Sequence, residues 1–292
     1  MRSILSIVVL YLSTSVAAAP KGKRAVICPE GFRNVVFNGP ANDEPNWPGR
    51  FNDIQQYGVD NWIGFTMDPN GAADAAMNAG QMRLVMEPSQ IPAAVSLVSG
   101  QAGELAPKYL AIFNEPDLTF TGTPLTSAAD AAAAVQPLLA AYTTTQFISP
   151  APAYSWSSYL PDFFANCQCE AQFPIIAMHL YQKDPTKAIS MIQDVHNQFP
   201  TKHIWLTEIA PASDPAQGCM LDPAGVIDWM NTVLSWAAQS GYVDKVFWNS
   251  GEYGTIYPDN PTLCNPSLTN MDSTPTDLLL NYARLCLSEA TS

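Results

Sequence analysis

The sequence predicts an α/β protein, a single (β/α)8 TIM barrel, and three observations lead there. Eight short apolar runs recur along the 292 residues, helical stretches separate them, and no glycine-rich phosphate loop follows the first run. Eight strands each followed by a helix, in roughly 260 residues once an N-terminal segment is set aside, match the size and count of a closed barrel. An open doubly wound sheet is the rival, but "NGP" after Val36 and Phe37 is not a dinucleotide fingerprint. Hydrophobic residues make up 47% of the chain and charged residues 13%, enough for one large core and too apolar for disorder.

Taken in order, the chain opens on a processing segment. Arg2, the apolar run Ile4 to Leu12 and the small residues Ser15 to Ala19 read as a signal peptide over 1–18. A short propeptide, 19–24, ends at the dibasic pair Lys23 and Arg24, and the barrel occupies 25–292. The run is too short to span a bilayer comfortably and the C-terminal stretch lacks the tail of a lipid-anchor signal. The expectation is a secreted, soluble protein, extracellular or in a cell wall, monomeric and without a membrane partner.

The eight strands are expected at Asn34 to Asn38, Asn61 to Phe65, Arg83 to Glu87, Tyr109 to Glu115, Gln146 to Ser149, Ile175 to Tyr181, Ile204 to Ala210 and Lys245 to Ser250. Helices are expected between them, among others over Ser127 to Tyr142, Asp184 to Phe199, Asp222 to Gln239 and Thr276 to Leu287. Asp184 and Asp222 each precede a proline, which is tolerated in the first turn because its missing N–H has no partner there anyway. Alanine favours helix over Ala128 to Ala141, with a kink expected near Pro137.

Charge narrows the partners. The formal charge is −13, and removing 1–24 takes away Arg2, Lys21, Lys23 and Arg24 with no acidic residue, which moves it to −17. A field of that sign repels nucleic acid and polyanionic polysaccharides and leaves neutral substrates as the easier partners. Six cysteines in an oxidising compartment favour disulfides over zinc, since Cys167 and Cys169 are too close for the usual zinc knuckle and no second close pair accompanies them. In a barrel, Cys28 and Cys286 fall at the face opposite the strand ends, Cys219 and Cys264 at the strand-end rim. The expected pairs are therefore Cys28 with Cys286, Cys219 with Cys264, and Cys167 with Cys169.

Functional groups of such barrels gather at the C-terminal ends of the strands. The fourth strand ends in Asn114 and Glu115, the sixth in His179 and Tyr181, the seventh in Glu208, and the eighth in Trp248 and Asn249. Glu115 and Glu208 are each ordinary alone, a turn carboxylate and a strand-end ion pair. Placed together across the barrel mouth, they suit a reaction that needs one carboxylic acid and one carboxylate, as glycosidic cleavage does. Glu87, ending the third strand, reads as structural.

"FNEPD" (Phe113 to Asp117), "SPAPAYSW" (Ser149 to Trp156), "MHLY" (Met178 to Tyr181) and "IWLTEIA" (Ile204 to Ala210) together resemble glycoside hydrolase family 128 of clan A, which includes fungal alkali-sensitive-linkage cell-wall proteins. The resemblance runs from about Phe37 to Trp248. It implies a retaining β-1,3-glucanase with Glu115 as acid/base and Glu208 as nucleophile. It further implies that Asn114 holds the sugar 2-hydroxyl, His179 and Tyr181 line the site and orient Glu208, and Trp248 is the sugar platform. Asn38, Tyr154 and Trp156 are further binding candidates, and Trp47, Phe120 and Tyr253 fall in the same loops. Two departures, "DLTFTGTPL" after the fourth strand and "VVFNGP" at the first, bear on subsite layout and so on endo against exo cleavage.

No cofactor is implied. A metal-dependent hydrolase needs clustered ligands, and His179, His196 and His203 show no H-x-H or HExxH spacing. A glucan-binding barrel that has lost turnover is the stronger alternative, and both glutamates are present against it.

Overall fold

Eight parallel strands close on themselves in sequence order, β1 to β8, with β8 returning to pair with β1. The structure is a computed structural model that describes residues 26–37, 54–65, 81–101, 106–119, 125, 127–141, 143–211, 221–251, 266–270, 272 and 274–286. The strands are β1 (Arg33–Val36), β2 (Asn61–Ile63), β3 (Gln81–Val85), β4 (Tyr109–Ile112), β5 (Gln146–Ile148), β6 (Ile175–Tyr181), β7 (His203–Ala210) and β8 (Val243–Trp248). The barrel expected from the sequence is thus the fold observed. Among the described residues no helix is long and apolar enough to cross a membrane.

Helices α1 (Ile91–Val98), α2 (Ala128–Leu139), α3 (Trp156–Cys167), α4 (Pro185–Gln198), α5 (Pro223–Gln239) and α6 (Asp277–Arg284) cover the outside. The starts of α2, α4, α5 and α6 follow the capping signals. Ser127 accepts from the Asp130 N–H, Asp184 from Thr186 and Lys187, Asp222 from Gly225, and Thr276 from Leu279. Pro137 falls in the last turn of α2.

Alternation along each strand sorts the core into two layers. Val36, Ile63, Leu84, Ala111, Ile148, Ala177, Trp205 and Phe247 fill the barrel interior, while Val35, Leu110, Ile112, Ile176, Leu206, Val246 and Trp248 pack under the helices.

The last helix is tied to the first strand at three points. The Tyr282 hydroxyl donates to Asn34 O at 2.9 Å and accepts from Asn34 N at 3.0 Å. Arg33 donates to the carbonyls of Tyr282 and Ala283 at the end of α6, where four carbonyls lack helical partners. Cys28 and Cys286 form a disulfide that links positions 258 residues apart, a closure of the kind that stabilises by ~2–5 kcal/mol. Cys167 and Cys169 also pair, around Gln168 in the left-handed conformation that ends α3. Cys219 and Cys264 lie outside the described residues.

Candidate active site

Glu115, His179, Tyr181, Glu208 and Asn249 meet at the C-terminal end of the barrel. His179 is the centre: its Nδ1 lies 3.1 Å from Glu115 Oε1 and its Nε2 lies 3.6 Å from Glu208 Oε1. The Tyr181 hydroxyl donates to Glu208 Oε2, and Asn249 Nδ2 donates to Tyr181 Oη at 2.6 Å and to Glu208 Oε2 at 3.4 Å. Side-chain exposure falls from 16% at Glu115 through 7% at Glu208 to 2% at His179, so Glu115 is the carboxylate nearest to solvent.

Two local irregularities aim the glutamates. In β7, Ile204 and Leu206 face outward, so strict alternation would send Glu208 outward too. Instead Met178 and His179 pair with Leu206 and Glu208, and Val246 and Trp248 with Leu206 and Ile209, which leaves Thr207 as one extra residue. This bulge turns Glu208 inward beside His179 and restores Ile209 to the outer layer. At the end of β4, Phe113 and Glu115 adopt left-handed φ of 56° and 40°. Such backbone costs on the order of 1–3 kcal/mol per residue and persists because its surroundings hold it. Phe113 N–H donates to Val85 O and its carbonyl accepts from Ala151 N–H, while Glu115 N–H donates to Ala151 O. Phe113 thereby joins Ile112 in the outer layer, and Glu115 is left on the lip. Asn114 bridges Ala151 through its backbone and is buried.

Burial and neighbouring charge set the protonation. For His179, burial works against the charged form, but Glu208 and Glu115 outweigh it and hold the imidazole above its usual range. Each of its two nitrogens faces one carboxyl oxygen, Nδ1 that of Glu115 and Nε2 that of Glu208. Burial pushes the Glu208 carboxyl up; His179, Tyr181 and Asn249 oppose the push and Glu115 adds to it. Tyr181 is pushed well up by burial and by Glu208, so it remains a phenol that donates. One atom each of Glu115, His179 and Glu208 lies within 4.8 Å of the other two, a spacing that would also admit a metal ion. The Tyr181 and Asn249 bonds to Glu208 Oε2 and the His179 contact with Glu115 instead suit a proton-sharing cluster.

Asp117 holds the adjoining loop. It accepts from the N–H groups of Ala153, Tyr154 and Ser155 at 2.7, 3.0 and 3.0 Å and from Ser155 Oγ at 2.8 Å. Burial would raise its pKa, but these four donors together hold it below the usual carboxylate value. A group with a lowered folded pKa contributes stability above its unfolded value and loses it as pH falls through the folded one. Asp117→Ala is therefore expected to lower stability by ~1–3 kcal/mol near neutral pH and by less in acid, read from urea midpoints at the two pH values.

Of the other sequence candidates, Tyr154 is 67% exposed on the loop that Asp117 holds, and Trp156 is half-buried at the start of α3. Trp248 is corrected. It is fully buried outside the barrel, donates to Pro266 O at 2.6 Å, and packs against Trp229 and Tyr282, so neither face is open to a sugar. The pleat explains this: Phe247 points in, Trp248 out, and Asn249 in. Counting alternate residues from the inward Phe247 singles out Asn249, which side-chain type alone does not. Asn38, Trp47, Phe120 and Tyr253 lie outside the described residues. His196 stacks on Tyr242 and His203 pairs with Asp244, both apart from the cluster. A cavity of about 1020 Å³ lies at the opposite end of the barrel. Its Lys245 is already committed to Gly31 O and the Trp205 ring.

The family model described as "Glycosyl hydrolase catalytic core" matches residues 87–282, from just after β3 into α6. The chain belongs to this family. Among curated proteins none matches the sequence. Several solved structures share the fold of this glycosyl hydrolase core. A family 128 subgroup I endo-β-1,3-glucanase from Amycolatopsis mediterranei, in complex with laminaritriose, superposes with a TM-score of 0.65 at 20% identity, covering 87% of this chain and 99% of that one. A subgroup VI exo-β-1,3-glucanase from Aureobasidium namibiae gives 0.66 at 13% identity, over 89% and 97%. A subgroup II endo-β-1,3-glucanase from Sorangium cellulosum gives 0.59 at 21%, also over 89% and 97%. The resemblance to glycoside hydrolase family 128 carried by the motifs is borne out.

Proposed function

We propose that this chain is a secreted, retaining β-1,3-glucanase in which Glu115 is the acid/base and Glu208 the nucleophile. The observation that carries the reading is the approach of the two carboxylates, with one oxygen of each within 4.8 Å. Retaining enzymes hold their carboxyls about 5–5.5 Å apart, whereas a gap of about 6.5–9.5 Å admits the attacking water of an inverting one. The substrate class follows the solved structures of the same fold, which are named as β-1,3-glucanases and of which the Amycolatopsis mediterranei enzyme holds laminari-oligosaccharides.

In the first step Glu208 attacks the anomeric carbon while Glu115 gives its proton to the departing glycosidic oxygen. Water then attacks the glycosyl-enzyme, Glu115 takes its proton, and the Glu208 ester bond breaks. Tyr181 and Asn249 orient Glu208, Asn114 holds the 2-hydroxyl, and the exposed Tyr154 replaces Trp248 as the aromatic surface for a sugar face. Internal cleavage is the mode we infer, by a monomeric protein released after removal of 1–24.

Incubation with laminarin, cellulose, mannan and pectin tests the reading. Laminarin alone is expected to release oligosaccharides, of mixed size at early times if cleavage is internal. Binding to laminarin with no product at acidic or neutral pH would instead mark a glucan-binding barrel without turnover. Activity abolished by a chelator and restored by a divalent cation would replace the mechanism with a metal-dependent one.

A further inference from the structure

Asn249 ends the eighth strand and belongs to none of the motifs that carry the family resemblance, yet it completes the hydrogen bonding of Glu208. Its Nδ2 reaches both Tyr181 Oη and Glu208 Oε2, and the Tyr181 hydroxyl donates a hydrogen bond to the same carboxylate oxygen. The side chain is buried, and its backbone N–H is fixed on Ile209 O at 3.0 Å. A carboxylate only accepts, so the amide must present its N–H groups to the site. That orientation leaves Asn249 Oδ1 buried with no hydrogen-bond partner among the described residues, an arrangement that costs stability. An apolar residue of similar size would avoid the cost, so packing does not account for asparagine here.

We propose that Asn249 is a positioning residue for Glu208: its amide orders the Tyr181 hydroxyl and, with it, holds the ionised carboxylate in one orientation. The inference rests on Glu208 being the nucleophile. With Oε2 held by two donors, Oε1, the oxygen 3.6 Å from His179 Nε2, is left to attack. The groups that face Glu208 are His179 and Tyr181 from β6, Glu115 after β4 and Asn249 after β8, with Asp117 acting more remotely on His179. Burial pushes the carboxyl toward its neutral form, and Asn249 is one of the few groups that oppose it.

Asn249→Ala is expected to lower kcat on laminarin by about 10–100-fold with little change in KM, and to move the acidic limb of the kcat/KM profile to higher pH. Asn249→Asp, which keeps the shape and replaces the donor by a like charge, is expected to move that limb further. A lowered thermal midpoint with an unmoved limb and unchanged kcat in both variants would reduce Asn249 to a structural role and overturn the proposal. Carbon-13 titration of Glu208 in wild type and Asn249→Ala separates this from the function itself. If the wild type cleaves no glucan, the enzyme reading fails, while a raised Glu208 titration in the variant still supports the coupling and an identical one refutes it.

Discussion

Glu208→Ala is expected to reduce kcat/KM at least about 10⁴-fold, with azide restoring turnover of an aryl laminarioligosaccharide as a glycosyl azide of inverted configuration. The size of the loss follows from removing the atom proposed to form the covalent bond, after which His179, Tyr181 and Asn249 have nothing to hold in place. Alanine opens a gap beside these donors, so a small anion can enter from the same side and attack once. A single attack inverts the anomeric centre where the proposed double displacement of the wild type retains it. Near-wild-type turnover, or an azide product of unchanged configuration, would remove Glu208 from the nucleophile role.

Glu115→Gln is expected to cost about 10²–10⁴-fold on laminarin, the usual contribution of a positioned acid. The loss should depend on the leaving group in a way that the Glu208 variant does not share. A sugar hydroxyl needs the proton to depart, whereas a dinitrophenolate leaves without it. With a dinitrophenyl glycoside the first step should survive and the second, which needs Glu115 as base, should not. A glycosyl-enzyme is then expected to accumulate, visible by mass spectrometry as an adduct on Glu208. An equal loss on both substrates with no adduct would assign Glu115 a binding role only.

The sequence made the frame legible because short apolar runs and capped helices report local physics. The C-terminal ends of β4, β6 and β7 were found for the same reason, and they place Glu115, His179 and Tyr181, and Glu208 at one mouth. What stayed hidden was direction. Alternation counted from Ile204 and Leu206 predicts Glu208 on the outer face, and only the extra residue at Thr207 reverses it. Nothing in "WLTEIA" marks that bulge, because it depends on register with both neighbouring strands. The left-handed backbone at Phe113 and Glu115 is equally silent, since neither residue type favours it. At β8 the error was of another kind. Aromatic character made Trp248 attractive, whereas the pleat already assigned it to the layer beneath α5 and α6 and gave Asn249 to the site.

The central claim is that Glu115 and Glu208 act as a retaining pair, and the anomeric configuration of the first-formed product tests it most directly. Proton NMR of laminarin hydrolysis, followed within minutes of adding the wild-type protein and before mutarotation, should show the β-anomer of the new reducing end first, with the α-anomer growing in later. Appearance of the α-anomer first would mean inversion by a water held between the carboxylates, and would contradict the nucleophilic role given to Glu208.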